Sequence, residues 1–189
     1  MFDDLIFDYL IFIGRFQPFH LAHLAVVQQA LQQSRQVIIL LGSAQPELSL
    51  KNIFTAAERE QMIRAAFGSS EQTRLHFAGL VDVFNDKKWM HQVEQAVAAI
   101  VPDPNARIGL IGHFKDQSSY YLSLFPQWPL VELDNYFQLS ATPIRDDYLL
   151  GKLPDLSQVP ASTLDYLLNF QQTSAYTALQ QQARLSLKV

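Results

Sequence analysis

Short unbroken apolar runs alternate along the chain with longer stretches in which apolar residues recur every three or four positions. A short apolar run that is closed by glycine or by a polar turn is typical of a strand buried on both faces of a sheet. The pattern predicts five such strands, at Tyr9–Ile13, Val37–Leu41, Leu75–Val83, Ile108–Ile111 and Leu130–Leu133.

The periodic stretches between these runs predict helices. Thr55 to Glu58 fit a capping box, which begins a helix whose apolar stripe continues to Phe67 and is ended by Gly68. Further helices are predicted at Leu21–Gln33, Trp89–Val101, Ser118–Leu124, Ala161–Phe170 and Ala175–Leu185.

Strands that alternate with helices indicate right-handed βαβ units and therefore a parallel sheet covered on both faces. We expect an α/β fold, Rossmann-like and doubly wound, in residues 1–150, with residues 151–189 forming a small C-terminal helical appendage packed on the same domain. Gly14 and Gly112 each end a buried strand with a turn. The strands that end at Ile13 and Ile111 are therefore predicted to be neighbours at the centre of the sheet.

Composition narrows the classes of function. The chain has 189 residues, of which 49% are hydrophobic, and its formal net charge is −4. Without basic runs it is not expected to bind nucleic acid or an acidic membrane, and it has no apolar run long enough to span a bilayer. The absence of Cys excludes disulfides and thiolate chemistry. The acidic N-terminus does not resemble a signal peptide, so we expect a cytoplasmic protein, and a homo-oligomer stays open.

Candidate chemistry begins where the first predicted strand ends, in the string Gly-Arg-Phe-Gln-Pro-Phe-His-Leu-Ala-His at positions 14–23. A strand that leads through a glycine turn into a helix presents backbone N–H groups and the positive end of the helix, which suits an anion. His20 and His23 share one face of that helix, and Arg15 offers a planar fork of donors for phosphate oxygens. Two His residues on a helix are, by themselves, more often polar surface than ligands.

A second candidate anion site follows the fifth predicted strand. Thr142 is expected to be the N-cap of a helix and Pro143 its first residue, with Asp146 and Asp147 in the first turn. Ser140, Thr142 and Arg145 would then surround the start of this helix. Read alone, the pattern is equally consistent with an ordinary capped helix. Together with the first site it would grip a triphosphate from two sides.

Both strings resemble signatures of one enzyme superfamily. Positions 14–23 resemble the HxGH phosphate-binding signature of the nucleotidyltransferases, in the GRFQPFHxGH form of the nicotinamide-nucleotide adenylyltransferases, with Ala22 in place of the glycine. Ser140-x-Thr142-x-x-Arg145 resembles the second signature, ISSTxxR. Similar stretches lie at Gly42–Ala44, Glu58–Ile63, Asn85–Trp89, Gly112–Leu122 and Phe125–Trp128. The resemblance runs from Tyr9 to Tyr148 and is strongest to bacterial forms that are often fused to a Nudix hydrolase domain. The sequence contains no Nudix box, so only the transferase part is expected here.

The resemblance implies transfer of the adenylyl group from ATP to nicotinamide mononucleotide, giving NAD and pyrophosphate (EC 2.7.7.1). The phosphate of the mononucleotide would attack the α-phosphate of ATP directly and in line, since it is already an anion and needs no general base. Mg²⁺ would enter with ATP and bridge phosphate oxygens mainly through waters, without a dedicated metal site in the protein. ATP, Mg²⁺ and nicotinamide mononucleotide are thus the expected small-molecule partners.

The same resemblance, together with the residue chemistry, assigns roles. Catalysis by charge neutralisation is expected of Arg15, His20, His23 and Arg145. ATP would contact Gly14, Arg15, Phe16, Gln17, His20, His23, Gly112, Lys115, Ser140, Thr142 and Arg145. Nicotinamide mononucleotide would contact Phe16, Asn85, Asp86 and Trp89, with the indole stacked on the pyridinium ring and the two polar residues at the carboxamide.

Alternatives remain at this stage. Trp89 is equally the first core residue expected of its helix. Another enzyme of the superfamily, such as a pantetheine-phosphate adenylyltransferase, would keep both phosphate signatures and lose the pocket at Trp89. A non-catalytic sensor of adenine nucleotide or NAD would bind without turnover, although it would not need to keep His20, His23 and Arg145 together.

Overall fold

A computed structural model describes residues 6–112, 117–133 and 139–186, and the side chains of residues 117–119 lie outside the description. The strands are β1 (Phe7–Gly14), β2 (Ser34–Leu41), β3 (Leu75–Gly79), β4 (Ile108–Gly112) and β5 (Leu130–Glu132). The α-helices are α1 (Leu21–Gln33), α2 (Ala56–Arg64), α3 (Ser69–Gln72), α4 (Asp86–Ile100), α5 (Ala141–Leu149), α6 (Ala161–Phe170) and α7 (Ser174–Ser186). A 3-10 helix occupies Gln117–Leu124.

The five strands form one parallel sheet in the order β3-β2-β1-β4-β5. The chain therefore builds outward from β1 in one direction, returns to β4, and continues in the other direction, which is the doubly wound arrangement expected from the sequence. The pairing of β1 with β4, in which Ile11 faces Leu110, confirms that the two glycine-ended strands are central neighbours. Gly109 in β4 leaves room for the ring of Phe7, because a Cβ there would lie 2.6 Å from that ring.

Burial explains why the strands read as unbroken apolar runs. Residues 37–41 of β2 are at most 2% exposed, since this strand has neighbours on both sides and is covered on both faces. Val93 and Val97 of α4 pack on the same cluster as Ile11 and Ile38, so α4 covers one face of the sheet. The predicted amphipathic α1 is also confirmed, with Val27 fully buried.

Two predicted element ends are wrong at β3 and α2. β3 ends at Gly79 and not at Val83, because the main chain of Val81 pairs with the side chain of Gln92 and not with a neighbouring strand. α2 begins with the predicted capping box but ends at Arg64. Its last turn tightens into i→i+3 hydrogen bonds, so Phe67 is buried beyond the end of the helix.

Two predicted helix starts are also wrong. α4 begins at Asp86, three residues before Trp89, because Asn85 is its N-cap. α5 begins at Ala141 with Ser140 as N-cap, so Thr142 is inside the helix and is not its cap. The first turn of α5 consequently holds no acidic residue, and Asp146 and Asp147 lie beyond it.

The chain divides into two compact units. The first comprises residues 1–14, 25–44 and 69–136 and contains all five strands and α4. The second comprises residues 15–24, 45–68 and 137–189. Within the second unit α2 contacts α6 and α5 contacts α7, so the C-terminal helices pack on the helices that precede them. Among the described residues, no helix is both long and apolar enough to cross a membrane.

Candidate active site

The loop that follows β1 has a strained backbone. Phe16 has a φ of 51°, in the left-handed region, although its side chain is large and only 1% exposed. A bulky residue in this region costs of order 1–3 kcal/mol and persists where the surroundings over-determine it. The peptide bond between Gln17 and Pro18 is cis.

Long-range hydrogen bonds hold this loop. The side-chain amide of Gln17 donates to the carbonyl oxygen of Phe54 at 2.8 Å and accepts from its backbone N–H at 3.0 Å. The guanidinium of Arg59 donates from Nη1 to the carbonyl oxygen of Arg15 at 2.8 Å and from Nε to that of Thr55 at 3.2 Å. Arg15 itself keeps its side chain exposed.

The two histidines lie together at the start of α1. Their rings are stacked with centroids 3.6 Å apart and planes inclined by 17°. The backbone N–H of His20, which precedes α1, donates to Nδ1 of His23 at 3.3 Å. Phe16 and Phe19 pack on the other sides of His23, with centroids at 4.9 and 5.8 Å.

This contact decides which nitrogen of His23 can donate. Because Nδ1 accepts a hydrogen bond, a neutral His23 ring carries its proton on Nε2. His23 is partly exposed and His20 is 4% exposed. The predicted pair therefore comes together at the start of α1, the positive end of that helix. The first N–H of that helix, from Leu21, is taken by the carbonyl oxygen of Gln158 at 2.9 Å.

The second predicted anion site lies at the start of α5. Arg145 is 6% exposed and donates from Nη2 to Asp146 at 3.0 Å and from Nη1 to the carbonyl oxygen of Lys51 at 3.4 Å. Its Nε has no hydrogen-bond partner among the described residues. The hydroxyl of Ser140 makes no capping hydrogen bond. Thr142, Arg145 and Lys51 line a cavity of about 380 Å³.

Two other residues predicted to contact ATP, Gly14 and Gly112, lie at the ends of neighbouring strands, and a third, Lys115, lies outside the described residues. Gly14 ends β1, where its carbonyl oxygen accepts from the N–H of Gly42 at 2.9 Å. Gly112 ends the neighbouring β4 and is buried. No group of three His, Cys, Asp or Glu side chains suited to a metal occurs within residues 6–112, 117–133 and 139–186.

Of the four residues predicted for the mononucleotide, Asp86 and Trp89 line a small cavity in the first unit, whereas Phe16 and Asn85 do not line it. Its volume is about 200 Å³, and it is lined by Val83, Asp86, Trp89, Tyr120 and Tyr121. The indole of Trp89 lies edge-on to Tyr121 at 5.9 Å and packs on Phe125 at 5.7 Å. Trp89 is half-buried, so it belongs to the edge of the core and to the wall of the cavity at once.

The two polar residues predicted to contact the mononucleotide, Asn85 and Asp86, also have partners in the protein. The side-chain oxygen of Asn85 accepts from the N–H of Lys88 at 3.0 Å and so caps α4. The carboxylate of Asp86 accepts from the hydroxyl of Tyr120 at 2.9 Å, which raises the pKa of that tyrosine. Tyr121 donates to the carbonyl oxygen of Ile13 at 3.3 Å, and burial raises its pKa to about 12.

Sequence reasoning missed several residues that the structure brings to these sites. It gave no role to Arg59, although an arginine on the helix face of Met62 and Ile63 was a signal of a buried charge with a specific partner. It also gave no role to Tyr120 and Tyr121, although the Tyr-Tyr pair belongs to a stretch that carries the family resemblance. For Gln17 it considered the backbone and overlooked the side chain.

Comparison with known proteins identifies the family of the chain and its fold. The model of the cytidylyltransferase-like family matches residues 11–146. The chain is 55% identical over 94% of both lengths to a nicotinamide/nicotinic acid mononucleotide adenylyltransferase of Acinetobacter baylyi. A bifunctional NMN adenylyltransferase/ADP ribose pyrophosphatase of Francisella tularensis superposes with a TM-score of 0.81 at 31% identity, covering 97% of this chain. The chain spans 57% of that protein's length. The same protein has been solved in complex with AMP and a manganese ion, with the same TM-score at 30% identity and the same coverage.

Proposed function

The chain belongs to the cytidylyltransferase-like family and, within it, to the nicotinamide/nicotinic acid mononucleotide adenylyltransferases, and on this premise we propose the reaction that it catalyses. It transfers the adenylyl group of ATP to nicotinamide mononucleotide, with NAD and pyrophosphate as products. The observation that carries the proposal is the stacked pair of His20 and His23 at the start of α1, directly after the central strand. Relatives named for this reaction support the choice of substrates.

The chemistry follows from charge. An oxygen of the mononucleotide phosphate forms a bond to the α-phosphorus of ATP. The bond between that phosphorus and the oxygen that bridges the α- and β-phosphates breaks, and pyrophosphate leaves with the electron pair of this bond. No proton has to be removed from the nucleophile. The protein contributes position and compensation of the negative charge that shifts to the leaving group. His20, His23 and Arg15 serve the phosphates of ATP, and Arg145 serves the departing pyrophosphate.

Mg²⁺ belongs to the substrate in this proposal. ATP brings the ion on its phosphate oxygens, and Mg²⁺ keeps most of its waters because it dehydrates reluctantly. The histidine and arginine donors complement phosphate oxygens, whereas Mg²⁺ prefers oxygen ligands over nitrogen, so these side chains and the ion bind different parts of the site. The complex of the Francisella protein with AMP and a manganese ion supports a divalent cation in that relative.

We further propose that the protein prefers the amide over the acid form of the mononucleotide, and the cavity beside Trp89 supports this preference. Asp86 lines this cavity, and an aspartate is negatively charged at neutral pH. The nicotinamide ring of the mononucleotide is a cation whose carboxamide can donate to a carboxylate. Nicotinic acid mononucleotide carries a carboxylate in the same place, and two like charges at close range repel each other.

The test is an assay of the purified protein with ATP, Mg²⁺ and, in separate reactions, each mononucleotide or 4′-phosphopantetheine, in which the adenylylated product and pyrophosphate are measured. We expect equal amounts of NAD and pyrophosphate from nicotinamide mononucleotide. Binding of the nucleotides without either product would indicate a sensor, and pyrophosphate formed only with 4′-phosphopantetheine would indicate the other adenylyltransferase.

Asp86→Asn tests the preference for the amide. The substitution removes the repulsion, so kcat/KM for the acid mononucleotide should rise relative to the amide by about tenfold, which corresponds to ~1.4 kcal/mol. Glu94→Gln is the matched control, because it removes the same charge from the same helix at a residue that does not line the cavity. An unchanged ratio in Asp86→Asn would show that this carboxylate does not select the substrate.

A further inference from the structure

The strained residue of the loop after β1 is held from both sides. Phe16, with its φ of 51°, is preceded by Arg15 and followed by Gln17. The carbonyl oxygen of Arg15 is bound by Arg59, and the side chain of Gln17 is bound by Phe54. Both partners belong to one short segment, residues 54–59, which lies about forty positions away along the chain.

We propose that Gln17 and Arg59 are positioning residues for adenylyl transfer, which fix the main chain of the phosphate-binding loop on the segment 54–59. The proposal rests on the proposed function of the site. It adds to that function the hydrogen bonds that position Arg15 and the start of α1. Neither residue is required to touch a substrate.

Gln17 is committed to the protein. Its side chain is 1% exposed, and both functional atoms of the amide pair with the main chain of Phe54, as a neighbouring strand would. Only an amide of this length offers one donor and one acceptor at these two positions. Glutamate has the same shape but lacks the donor for the carbonyl oxygen of Phe54, so it would replace a hydrogen bond with a repulsive contact.

Arg59 holds the main chain of Arg15, whose own side chain is exposed. Its guanidinium is fully buried and binds the carbonyl oxygens of Arg15 and Thr55 with two donors of one rigid plane. A surface arginine such as Arg15 is otherwise free to move its backbone as well as its side chain. Lysine keeps the charge but concentrates its donors on one atom, so it cannot reproduce the planar fork.

The kinetic consequence is a loss in kcat. Charge that develops in the transition state is stabilised only by donors already in place, and a displacement of about 1 Å can cost ~100-fold in rate. Ground-state binding depends less on this precision, because substrates have many other contacts. We therefore expect Gln17→Glu and Arg59→Lys to lower kcat roughly 10- to 100-fold, with the KM for each substrate changed by less than about threefold.

The experiment compares these variants with Tyr176→Phe as a control for stability. Tyr176 donates to the buried carbonyl oxygen of Tyr148, so its variant loses a buried hydrogen bond without touching the loop. All proteins are assayed at a temperature well below their melting transitions. A kcat within twofold of the wild type in both Gln17→Glu and Arg59→Lys would overturn the proposal, as would losses no larger than those of Tyr176→Phe.

Amide hydrogen exchange of the unliganded proteins gives a readout that does not depend on activity. Faster exchange is expected in residues 15–20 of Gln17→Glu and Arg59→Lys, and not in Tyr176→Phe. Unchanged exchange in these residues would overturn the positioning role even if activity fell. A wild-type protein that makes no dinucleotide from either mononucleotide would instead refute the proposed function, while the exchange data would still decide whether the two residues hold the loop.

Discussion

At the scale of single residues, one hydrogen bond orients the histidine pair of the candidate active site. The Nδ1 atom of His23 accepts the backbone N–H of His20, so the ring presents Nε2–H as a donor. His23 thus serves the start of α1 and the proposed phosphate site with its two nitrogens. The side-chain oxygen of an asparagine can accept the N–H of His20 in place of Nδ1, but asparagine has no atom in the position of Nε2. A substitution by asparagine therefore separates the two roles.

We predict that His20→Ala and His23→Ala each lower kcat at least ~100-fold, because each removes a donor to developing phosphate charge. His23→Asn should keep the acceptor for the N–H of His20 and the melting temperature, yet lose kcat to a similar extent. Steady-state kinetics and thermal melts of the three variants check this. Near-normal turnover in His23→Asn would mean that Nε2 of His23 has no part in the reaction.

Trp89 is the residue proposed to stack on the nicotinamide ring of the mononucleotide. Its half-buried indole contacts Tyr121 and Phe125 and also lines the cavity beside Asp86. We predict that Trp89→Ala raises the KM for the mononucleotide about ten- to thirtyfold, from ~1–2 kcal/mol of stacking on a cationic ring, and changes the KM for ATP far less.

Trp89→Phe separates stacking from packing. Phenylalanine keeps an aromatic face and most of the contact with Phe125, so it should recover most of the melting temperature and part of the KM. Equal losses for both substrates in Trp89→Ala, with a fall of ~3–5 kcal/mol in the free energy of unfolding, would assign Trp89 to the core alone.

At the scale of elements, the start of α2 shows how local hydrogen bonds fix a boundary. The carboxylate of Glu58 accepts from the N–H of Thr55 at 2.7 Å, and the hydroxyl of Thr55 accepts from the N–H of Glu58 at 3.2 Å. Tyr166 of α6 also lies near this carboxylate. The pKa of Tyr166 is raised mainly by burial and secondly by its interaction with Glu58. The capping box therefore anchors α2 at the point where α6 packs.

We predict that Thr55→Ala lowers the free energy of unfolding by ~1 kcal/mol, since it leaves an N–H of the first turn without its partner. Ser162→Ala is the control, because its hydroxyl also lies in the first turn of a helix but has no hydrogen-bond partner within the described residues. Denaturant melts should show a change of less than ~0.5 kcal/mol for the control. Equal losses in the two variants would contradict the capping role.

At the scale of the whole molecule, one carboxylate links three strands of the sheet. Asp8 of β1 accepts from the backbone N–H of Arg107, just before β4, at 2.8 Å and pairs with Arg35 of β2 at 3.5 Å. The hydrogen bond from the Arg107 backbone, followed by that from its guanidinium, holds the pKa of Asp8 below its ordinary value of 3.8.

The sign of the pH dependence follows. A carboxylate whose pKa is lower in the folded than in the unfolded state stabilises the fold above the unfolded pKa, and this is lost as the pH falls through the folded pKa. We predict that Asp8→Asn costs less than about 1 kcal/mol at pH 7, because both arginines are half exposed. The difference from wild type should shrink as the pH falls below about 4, whereas exposed Asp165→Asn should change little at any pH. A constant difference between pH 7 and pH 2 would refute the linkage.

The sequence by itself determined which segments form the sheet, where the chain doubles back, and which family the chain belongs to. These features are local. A run such as residues 37–41 is apolar because it is buried on both faces, and the capping box at Thr55 closes within four residues. The glycines that end β1 and β4 likewise identify the central strands without knowledge of their partners.

Only the tertiary structure decided how the site is held. Gln17 meets Phe54 across 37 positions, Arg59 meets Arg15 across 44, and Tyr120 meets Asp86 across 34. Periodicity reports whether a side chain is buried, but a buried polar side chain chooses its partner from whatever the topology brings within about 3 Å. The true start of α5 was missed for a related reason, since Ser140 and Thr142 are both good caps by residue type and the backbone conformation selects between them.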